Sequence, residues 1–333
     1  YDAYEALNAE QQAQITGADC FKALFGWFNS QTALLADAQS REHTHCVCGK
    51  THQKIGDHGQ ADEKTFKPWD KTDSLPTSGA YYLTQDVTIS GNVTLNENVT
   101  LCLNGQTISG SITVGSGATL TLTDCTGTGK LQGSGSGSGV SINGGTFNLY
   151  GGTITGFVNG VEIGSHNDIK TGSSFTMYGG AITGNKADSS GGGGVFLIGT
   201  TNSVVTAPSF TMHGGTISNN TAGASDGGGG GVYVGEKCSF TMDGGTITGN
   251  TATAGNGGGI YIHFNAGTVS ISNATITGNK ASATGDTRYG HGGGIYSERG
   301  VTVKNVTITG NNSTFEGGGI YGKGAITLTD ATV

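Results

Sequence analysis

The sequence predicts an all-β solenoid, a coil of short parallel strands stacked on one another, preceded by a small α-helical segment. A motif typified by Phe240–Asn250 recurs about every 30 residues. Between its copies, short stretches alternate apolar and polar residues, and nothing helical separates them. The 63 glycines concentrate at fixed positions of the repeat, which favours turns over disorder. The isoleucines in register are Ile154, Ile182, Ile217, Ile247, Ile276 and Ile308.

Residues 1–40 differ in composition from everything that follows. Alanine, glutamine and glutamate favour helix here, and apolar residues at Phe21, Leu24, Phe25 and Phe28 follow helical spacing. We expect two short helices, about 2–13 and 17–37, which form a helical hairpin or stalk. No chemical role follows from this segment.

Residues 41–80 contain a cluster of cysteines and histidines. Thiolate and imidazole are the ligands that Zn²⁺ prefers in four-coordinate structural sites, and a metal would hold together a segment with little core of its own. The sequence therefore predicts a structural zinc, against the alternative of an exposed histidine-rich loop, since the spacing is not that of a standard zinc finger. The expected ligands are Cys46, Cys48, His52 and His58, with His43 and His45 as substitutes.

Residues 59–80 are polar, contain Pro68 and Pro76, and read as a linker, so we expect the solenoid to span 81–333. Leu101–Ile108 aligns with Phe240–Ile247, so the first coils precede the obvious copies. Stacking puts the Phe, Met and Ile columns in one interior, with backbone hydrogen bonds between coils about 4.8 Å apart. The asparagine that ends each motif is expected to form a structural ladder with its equivalents, Asn185, Asn220, Asn250, Asn279 and Asn311.

The Gly-Gly-x-Ile and Gly-Asn-x-Ala…Gly-Gly-Gly-Ile-Tyr repeats resemble those of right-handed parallel β-helix proteins of the pectate-lyase-like superfamily. Within it they are most similar to bacterial surface proteins and polymorphic outer-membrane adhesins. The resemblance covers about 82–333 and implies a right-handed β-helix. It is much less informative about function, because the superfamily holds both enzymes and adhesins.

One outward column could carry function. In each Gly-Gly-Gly-Ile-Tyr segment the residue after the buried Ile or Val should face solvent, which predicts an exposed aromatic strip able to bind a glycan or a host protein. The alternative is that stacked rings simply stabilise a parallel sheet. The residues of this strip are Phe196, Tyr233, Tyr261, Tyr296 and Tyr321.

No catalytic cluster is visible in the repeats. The lyases and hydrolases of the superfamily need acidic residues grouped on adjacent coils, whereas the acidic residues here are scattered, and Gly290-His291-Gly292 lacks a paired-aspartate partner. The loop that holds Arg288 and His291 combines a cation, an imidazole and an aromatic, so we include both as candidate binding residues. The alternative is a loop without function. We name no catalytic residue, and enzymatic activity remains an alternative.

Cys102 and Cys125 lie on neighbouring coils, with Cys102 at an outward position. They could meet in a disulfide, although strand register alone does not bring them opposite each other.

Composition limits the remaining possibilities. A net charge of −8 with no basic stripe makes nucleic acid an unexpected partner, and no apolar run is long enough to span a membrane. The last repeat stops partway, so we expect the sequence to be part of a longer protein. The function expected is that of a secreted or cell-surface bacterial adhesin-like or structural protein. The alternative is a polysaccharide lyase or glycoside hydrolase.

Overall fold

The structure is a computed structural model that describes residues 43–46, 63–164, 172–189, 191–199, 206–225, 227–283 and 288–333. Side chains are described from residue 64 onward. The expected helices within 1–40 lie outside the described residues. Among the described residues there is no helix of the length and apolarity needed to cross a bilayer.

Three β-sheets, which we call A, B and C, contain the strands of the described residues. Sheet A begins with an antiparallel pair, after which every neighbouring pair is parallel. Its strands, in the order in which they pair, are His43–Cys46, Glu63–Trp69, Gly79–Leu83, Val99–Cys102, Thr119–Thr123, Thr146–Leu149, Ser174–Met177, Ser209–Met212, Ser239–Met242, Val269–Ser272, Val301–Lys304 and Ile326–Thr329.

Sheet B has two arms that diverge from a pair of long strands, Val87–Leu95 and Thr107–Val114. The pairing register of these two strands shifts between Thr88 and Asn92, at Gly110 (φ 134°) of the second strand. A Cβ at Gly110 would lie 2.1 Å from the Ile89 side chain, so this position requires glycine. The isoleucine arm comprises Lys130–Gln132, Thr153–Thr155, Ala181–Thr183, Thr216–Ser218, Thr246–Thr248, Thr275–Thr277 and Thr307–Thr309. The tyrosine arm comprises Ser138–Ile142, Asn159–Ile163, Val195–Leu197, Val232–Val234, Ile260–Ile262, Ile295–Ser297 and Ile320–Gly322.

Sheet C is formed by two-residue strands that follow the asparagine of each motif: Lys186–Ala187, Thr221–Ala222, Thr251–Ala252, Lys280–Ala281 and Asn312–Ser313. From Ser174 onward each coil therefore contributes one strand to sheet A, one to each arm of sheet B and one to sheet C, and equivalent strands pair in parallel with the coils before and after. The described part of the chain is all-β with stacked parallel strands, consistent with a β-helix solenoid.

The interior is a set of identical-residue columns. Four phenylalanine rings of sheet A stack with centroids 4.7 to 5.2 Å apart, namely Phe147, Phe175, Phe210 and Phe240. The isoleucines of the isoleucine arm pair in register as the sequence predicts, and the columns are buried. Parallel pairing of equivalent strands brings like residues together, so each column is continuous from coil to coil.

The predicted asparagine ladder is confirmed. From Asn185 to Asn311, each Nδ2 donates to the Oδ1 of the next asparagine over 2.9 to 3.0 Å. The same Oδ1 accepts the preceding asparagine's backbone N–H. The Nδ2 of every asparagine in the ladder also donates to the carbonyl of an isoleucine in the preceding coil. The ladder thus gives hydrogen-bond partners to buried backbone N–H and carbonyl groups at the turn, which supports a structural role.

The first coils differ from the sequence alignment. Ile108 is equivalent to Ile247 as expected, but Leu101 pairs through Leu122 and Leu149 into the Met242 column. The alignment of Leu101 with Phe240 is wrong by two residues, because the turn after Leu101 contains two residues more than the later turns.

The parallel part of sheet A begins within residues 59–80, which were expected to be a linker. Glu63–Trp69 pairs in parallel with Gly79–Leu83, and Phe66 is buried. Pro68 obscures this strand in the sequence because proline lacks the N–H of a central strand. Among the described residues the antiparallel neighbour pairs with residues 63–66 only, whereas Pro68 pairs with Tyr82 on the other side of the strand.

Candidate functional site

The aromatic column of the tyrosine arm exists as the sequence predicts. Phe196, Tyr233, Tyr261, Tyr296 and Tyr321 pair in direct register on five successive coils. Successive ring centroids lie 4.9 to 5.5 Å apart. From Tyr233 onward the rings are within 18° of parallel, whereas Phe196 meets Tyr233 edge to face. Most ring faces therefore contact another ring.

The expectation that all five rings are exposed is wrong. Tyr261 and Tyr296 are only 3% and 2% exposed, while the other three are half-buried. Stacking hides the ring faces, and the glycine-rich loops cross the column: a Cβ at Gly191 or at Gly227 would lie 2.6 Å from the Tyr233 ring. The column is therefore not an open apolar strip, and a ligand would meet ring edges and hydroxyl groups rather than ring faces.

At its last three coils the column forms the floor of a cleft of about 720 Å³, which we call the tyrosine cleft. Its walls come from the loops that precede the glycine runs and from the residues that follow each tyrosine. It is lined by Asn256, Tyr261, Arg288, Tyr289, His291, Tyr296, Glu298, Phe315, Glu316, Tyr321 and Lys323. Aromatic edges and ionisable groups thus converge on one concave surface.

An ion pair spans two coils of the tyrosine cleft. Lys323 Nζ donates to Glu298 Oε1 over 3.0 Å and lies 5.7 Å from the centre of the Tyr296 ring. The Glu298 side chain is 17% exposed, and its Oε2 accepts the Phe264 N–H over 3.3 Å. Tyr261 is also hydrogen-bonded to Glu298, and Tyr296 to Lys323. The phenols, carboxylate and ammonium therefore form one connected network.

Burial and this network change the acidities of its members. Loss of solvent raises the pKa of the Tyr261 phenol, and the nearby Glu298 charge raises it further. Burial also raises the pKa of Tyr296, partly offset by Lys323. Hydrogen bonds with Tyr296 and Glu298 raise the pKa of the Lys323 ammonium. Both phenols therefore stay protonated, and Lys323 stays charged, at neutral pH.

The rim of the tyrosine cleft is built by His291 and Arg288. The His291 ring is nearly buried, lies 4.7 Å from the Tyr321 ring, and accepts the Glu316 N–H at Nδ1 over 3.3 Å. The Glu316 carboxylate lies 4.0 Å from the same nitrogen. Arg288 is exposed, with its guanidinium carbon 5.5 Å from the centre of the Tyr289 ring.

The structure brings together most of the candidate binding residues. Tyr261, Tyr296, Tyr321, Arg288 and His291 all line the tyrosine cleft, whereas Phe196 and Tyr233 belong to the same column but lie outside the lining. Whether any of them binds a ligand stays a prediction.

Sequence reasoning missed Glu298 and Lys323. A signal was present, because each lies two residues after a column tyrosine and alternation puts residues i and i+2 on the same face of a strand. Their pairing across coils needs the register, which the sequence shows only once the repeats are aligned.

A second aromatic column runs along the turn that follows sheet A. Tyr150 stacks on Tyr178 with centroids 4.4 Å apart, and Tyr178 on His213 at 5.1 Å. His213 Nδ1 lies 2.7 Å from Asp243 Oδ1. Tyr178 is exposed, so this column offers a comparison surface for the tyrosine cleft.

No group of three or more His, Cys, Asp or Glu suited to a metal is found in the described ranges. Of the expected zinc ligands, Cys48, His52 and His58 lie outside those ranges. Cys46, with the substitutes His43 and His45, is described only as backbone in the strand His43–Cys46. The zinc site therefore stays a prediction.

Comparison with known proteins adds no relative from which a function could be transferred: the chain matches no protein-family model, no curated protein and no solved structure.

Proposed function

We propose that this chain is the right-handed β-helix of a secreted or cell-surface bacterial protein, akin to the adhesins of the pectate-lyase-like superfamily, and that it binds a glycan in the tyrosine cleft. The observation that carries the proposal is the convergence of phenol, carboxylate, ammonium, guanidinium and imidazole groups on a cleft with an aromatic floor. A concave site with aromatic walls and a few placed polar groups is the usual form of a small-ligand site.

The dimensions favour a glycan over a protein partner. A stable protein interface buries about 800 Å² on each side over a broad surface, whereas the tyrosine cleft is confined to three coils. Sugars present dense hydroxyl groups, which match the acceptors Glu298 and Glu316 and the donors Arg288 and Lys323. Arg288 lines the tyrosine cleft and is exposed, so its guanidinium can reach the carboxylate of an acidic sugar.

A glycan array with the full chain, followed by calorimetry on any ligand found, tests this proposal. Tyr321→Ala and Arg288→Ala are each expected to weaken binding about 10-fold or more, because each removes a side chain that lines the cleft and is open to a ligand. Tyr178→Ala is the matched control, since it removes an exposed stacked tyrosine from a different face. Equal affinities for all three variants, or a loss of affinity in Tyr178→Ala alone, would refute a site in the tyrosine cleft.

Catalysis is a second candidate function, because acid–base groups line the same tyrosine cleft. His291 and Glu298 could transfer protons during cleavage of an acidic polysaccharide. A lyase would release an unsaturated product that absorbs ultraviolet light, and a hydrolase would release reducing ends. Loss of either signal in His291→Ala would support an enzyme, whereas binding without turnover supports the adhesin. A chain with neither binding nor turnover is a structural stalk.

A further inference from the structure

Cys102 and Cys125 form a thiol pair on the outer face of the first coils. Cys102 ends the strand Val99–Cys102 and pairs in register with Thr123 of the next coil. Cys125 follows Thr123 by two residues, at the turn where that strand has ended. The two Sγ atoms lie 3.6 Å apart.

The surroundings hold both thiols in place. Cys102 faces away from the main core, as expected, but it is fully buried beneath Phe66 and beside Tyr82. Cys125 is half-buried at the edge of this cluster, and its thiol donates to Asn104 Oδ1 over 3.4 Å. Within this small apolar cluster, which joins successive coils, the Cys125 thiol is partly open to solvent and the Cys102 thiol is covered.

We propose that Cys102 and Cys125 are an oxidation site, where a disulfide joins two successive coils near the N-terminal end of the solenoid. A disulfide needs its sulfur atoms about 2.05 Å apart, so they must approach by roughly 1.5 Å, which small side-chain rotations can supply. Cys238 shows the contrast. It is equally buried, but its thiol donates to the Ile198 carbonyl over 3.5 Å, with no second cysteine beside it among the described residues.

The chemistry is two thiol–disulfide exchanges with a small-molecule disulfide such as oxidised glutathione. The Cys125 thiolate attacks one glutathione sulfur, forms a mixed disulfide and releases one glutathione thiolate. Cys102 then loses its proton, attacks Sγ of Cys125 and releases the second glutathione thiolate. The two protons lost by the protein thiols are taken up by the two released glutathiones, so one protein disulfide and two reduced glutathiones are formed.

Accessibility sets this order. Cys125 is partly open to solvent and reacts first, whereas Cys102 is covered. The hydrogen bond from Cys102 to Cys125, together with burial, raises the pKa of Cys102 while both thiols are present.

Peptide mapping of the full chain tests the proposal. The chain is incubated with oxidised glutathione, alkylated under denaturing conditions and digested without reductant. A cross-linked peptide pair joining Cys102 to Cys125 is expected, with Cys238 recovered alkylated as the internal control. Recovery of both cysteines alkylated, or of Cys125 bearing glutathione without a cross-link, would overturn the proposal.

Two variants test the order of the steps. Cys102→Ser is expected to stop with one glutathione on Cys125, whereas Cys125→Ser is expected to leave Cys102 unmodified in the folded chain. Glutathione on Cys102 in the second variant would overturn the order. Oxidised wild type is also expected to melt about 5 °C above the reduced form, because the cross-link closes a loop between residues 23 positions apart. If a variant does not fold, the wild-type peptide map still decides the proposal.

Discussion

The asparagine ladder can be tested by replacing Asn250, a fully buried member near its centre. Its Oδ1 accepts the backbone N–H and the Nδ2 of Asn220, each over 3.0 Å. Its Nδ2 donates to the Ile217 carbonyl and to Asn279 Oδ1, again over 3.0 Å. Asn250→Ala removes all four hydrogen bonds and leaves their partners in a space without solvent access.

The magnitude follows from these four bonds. A typical intramolecular hydrogen bond contributes about 1 kcal/mol net, and a buried group left without a partner costs more than a neutral exchange with water. We therefore expect Asn250→Ala to lower the free energy of unfolding by about 4 kcal/mol. Asn92→Ala is the control, because Asn92 is exposed and its side chain makes one hydrogen bond, to Thr113 Oγ1. Its replacement should cost under about 0.5 kcal/mol.

Guanidinium chloride unfolding followed by circular dichroism compares the two variants, and amide hydrogen exchange locates the effect. The Asn220 N–H, which donates to Asn250 Oδ1, should lose protection in Asn250→Ala and keep it in Asn92→Ala. Equal destabilisation of the two variants, with unchanged exchange at Asn220, would show that the ladder does not stabilise the solenoid and would refute the reasoning.

Three further predictions concern the core, the turns and the tyrosine cleft. Phe210→Ala should lower the free energy of unfolding by about 3–5 kcal/mol, because it leaves a cavity between two stacked rings; a loss under about 1 kcal/mol would contradict a packed column. Gly228→Ala should lower the free energy of unfolding by more than about 3 kcal/mol, since its Cβ would lie 1.7 Å from the Asn256 carbonyl oxygen. Gly117→Ala should lower it by about 1 kcal/mol, because Gly117 has a φ of 77° but open space around it. Denaturant titration compares the two variants, and equal losses of stability would contradict the close approach at Gly228. Above pH 10 the unfolded state loses the Tyr261 proton while the folded state keeps it, so the free energy of unfolding should fall with rising pH. Denaturant titration across this pH range should show a smaller fall in Tyr261→Phe, and identical pH profiles for the variant and the wild type would contradict the raised pKa.

Much of the fold could be predicted because the spacing of a repeated motif gives the register in which its strands pair. When equivalent strands stack in parallel, equivalent residues must lie above one another, so the columns through Phe240, Ile247 and Asn250 follow from the spacing of the motif. The same spacing predicts the aromatic column, whose residues pair in register. The irregular parts of the repeat are not predicted in this way: the turn after Leu101 is two residues longer than the later turns, and the strand that contains Pro68 lacks the motif.

The tyrosine cleft could be predicted only in part. Alternation within a strand shows that Tyr261 points out of the interior, and it does, but alternation does not show what covers an outward residue. Burial of Tyr261 and Tyr296 depends on loops whose lengths vary from coil to coil, and on Glu298 and Lys323 meeting across coils. The alternation of residues within one strand does not predict the contact between Glu298 and Lys323, since the two residues are 25 positions apart.

The sequence by itself therefore determined the stacking of coils, the identity of the interior columns and the asparagine ladder, because each is a consequence of one repeated local pattern. Only the tertiary structure decided which outward residues are covered, how the tyrosine cleft forms between loops, and that Cys102 and Cys125 approach within contact distance. The physical reason is that these features come from the residues in which one repeat differs from the next, and their positions are set by packing between coils.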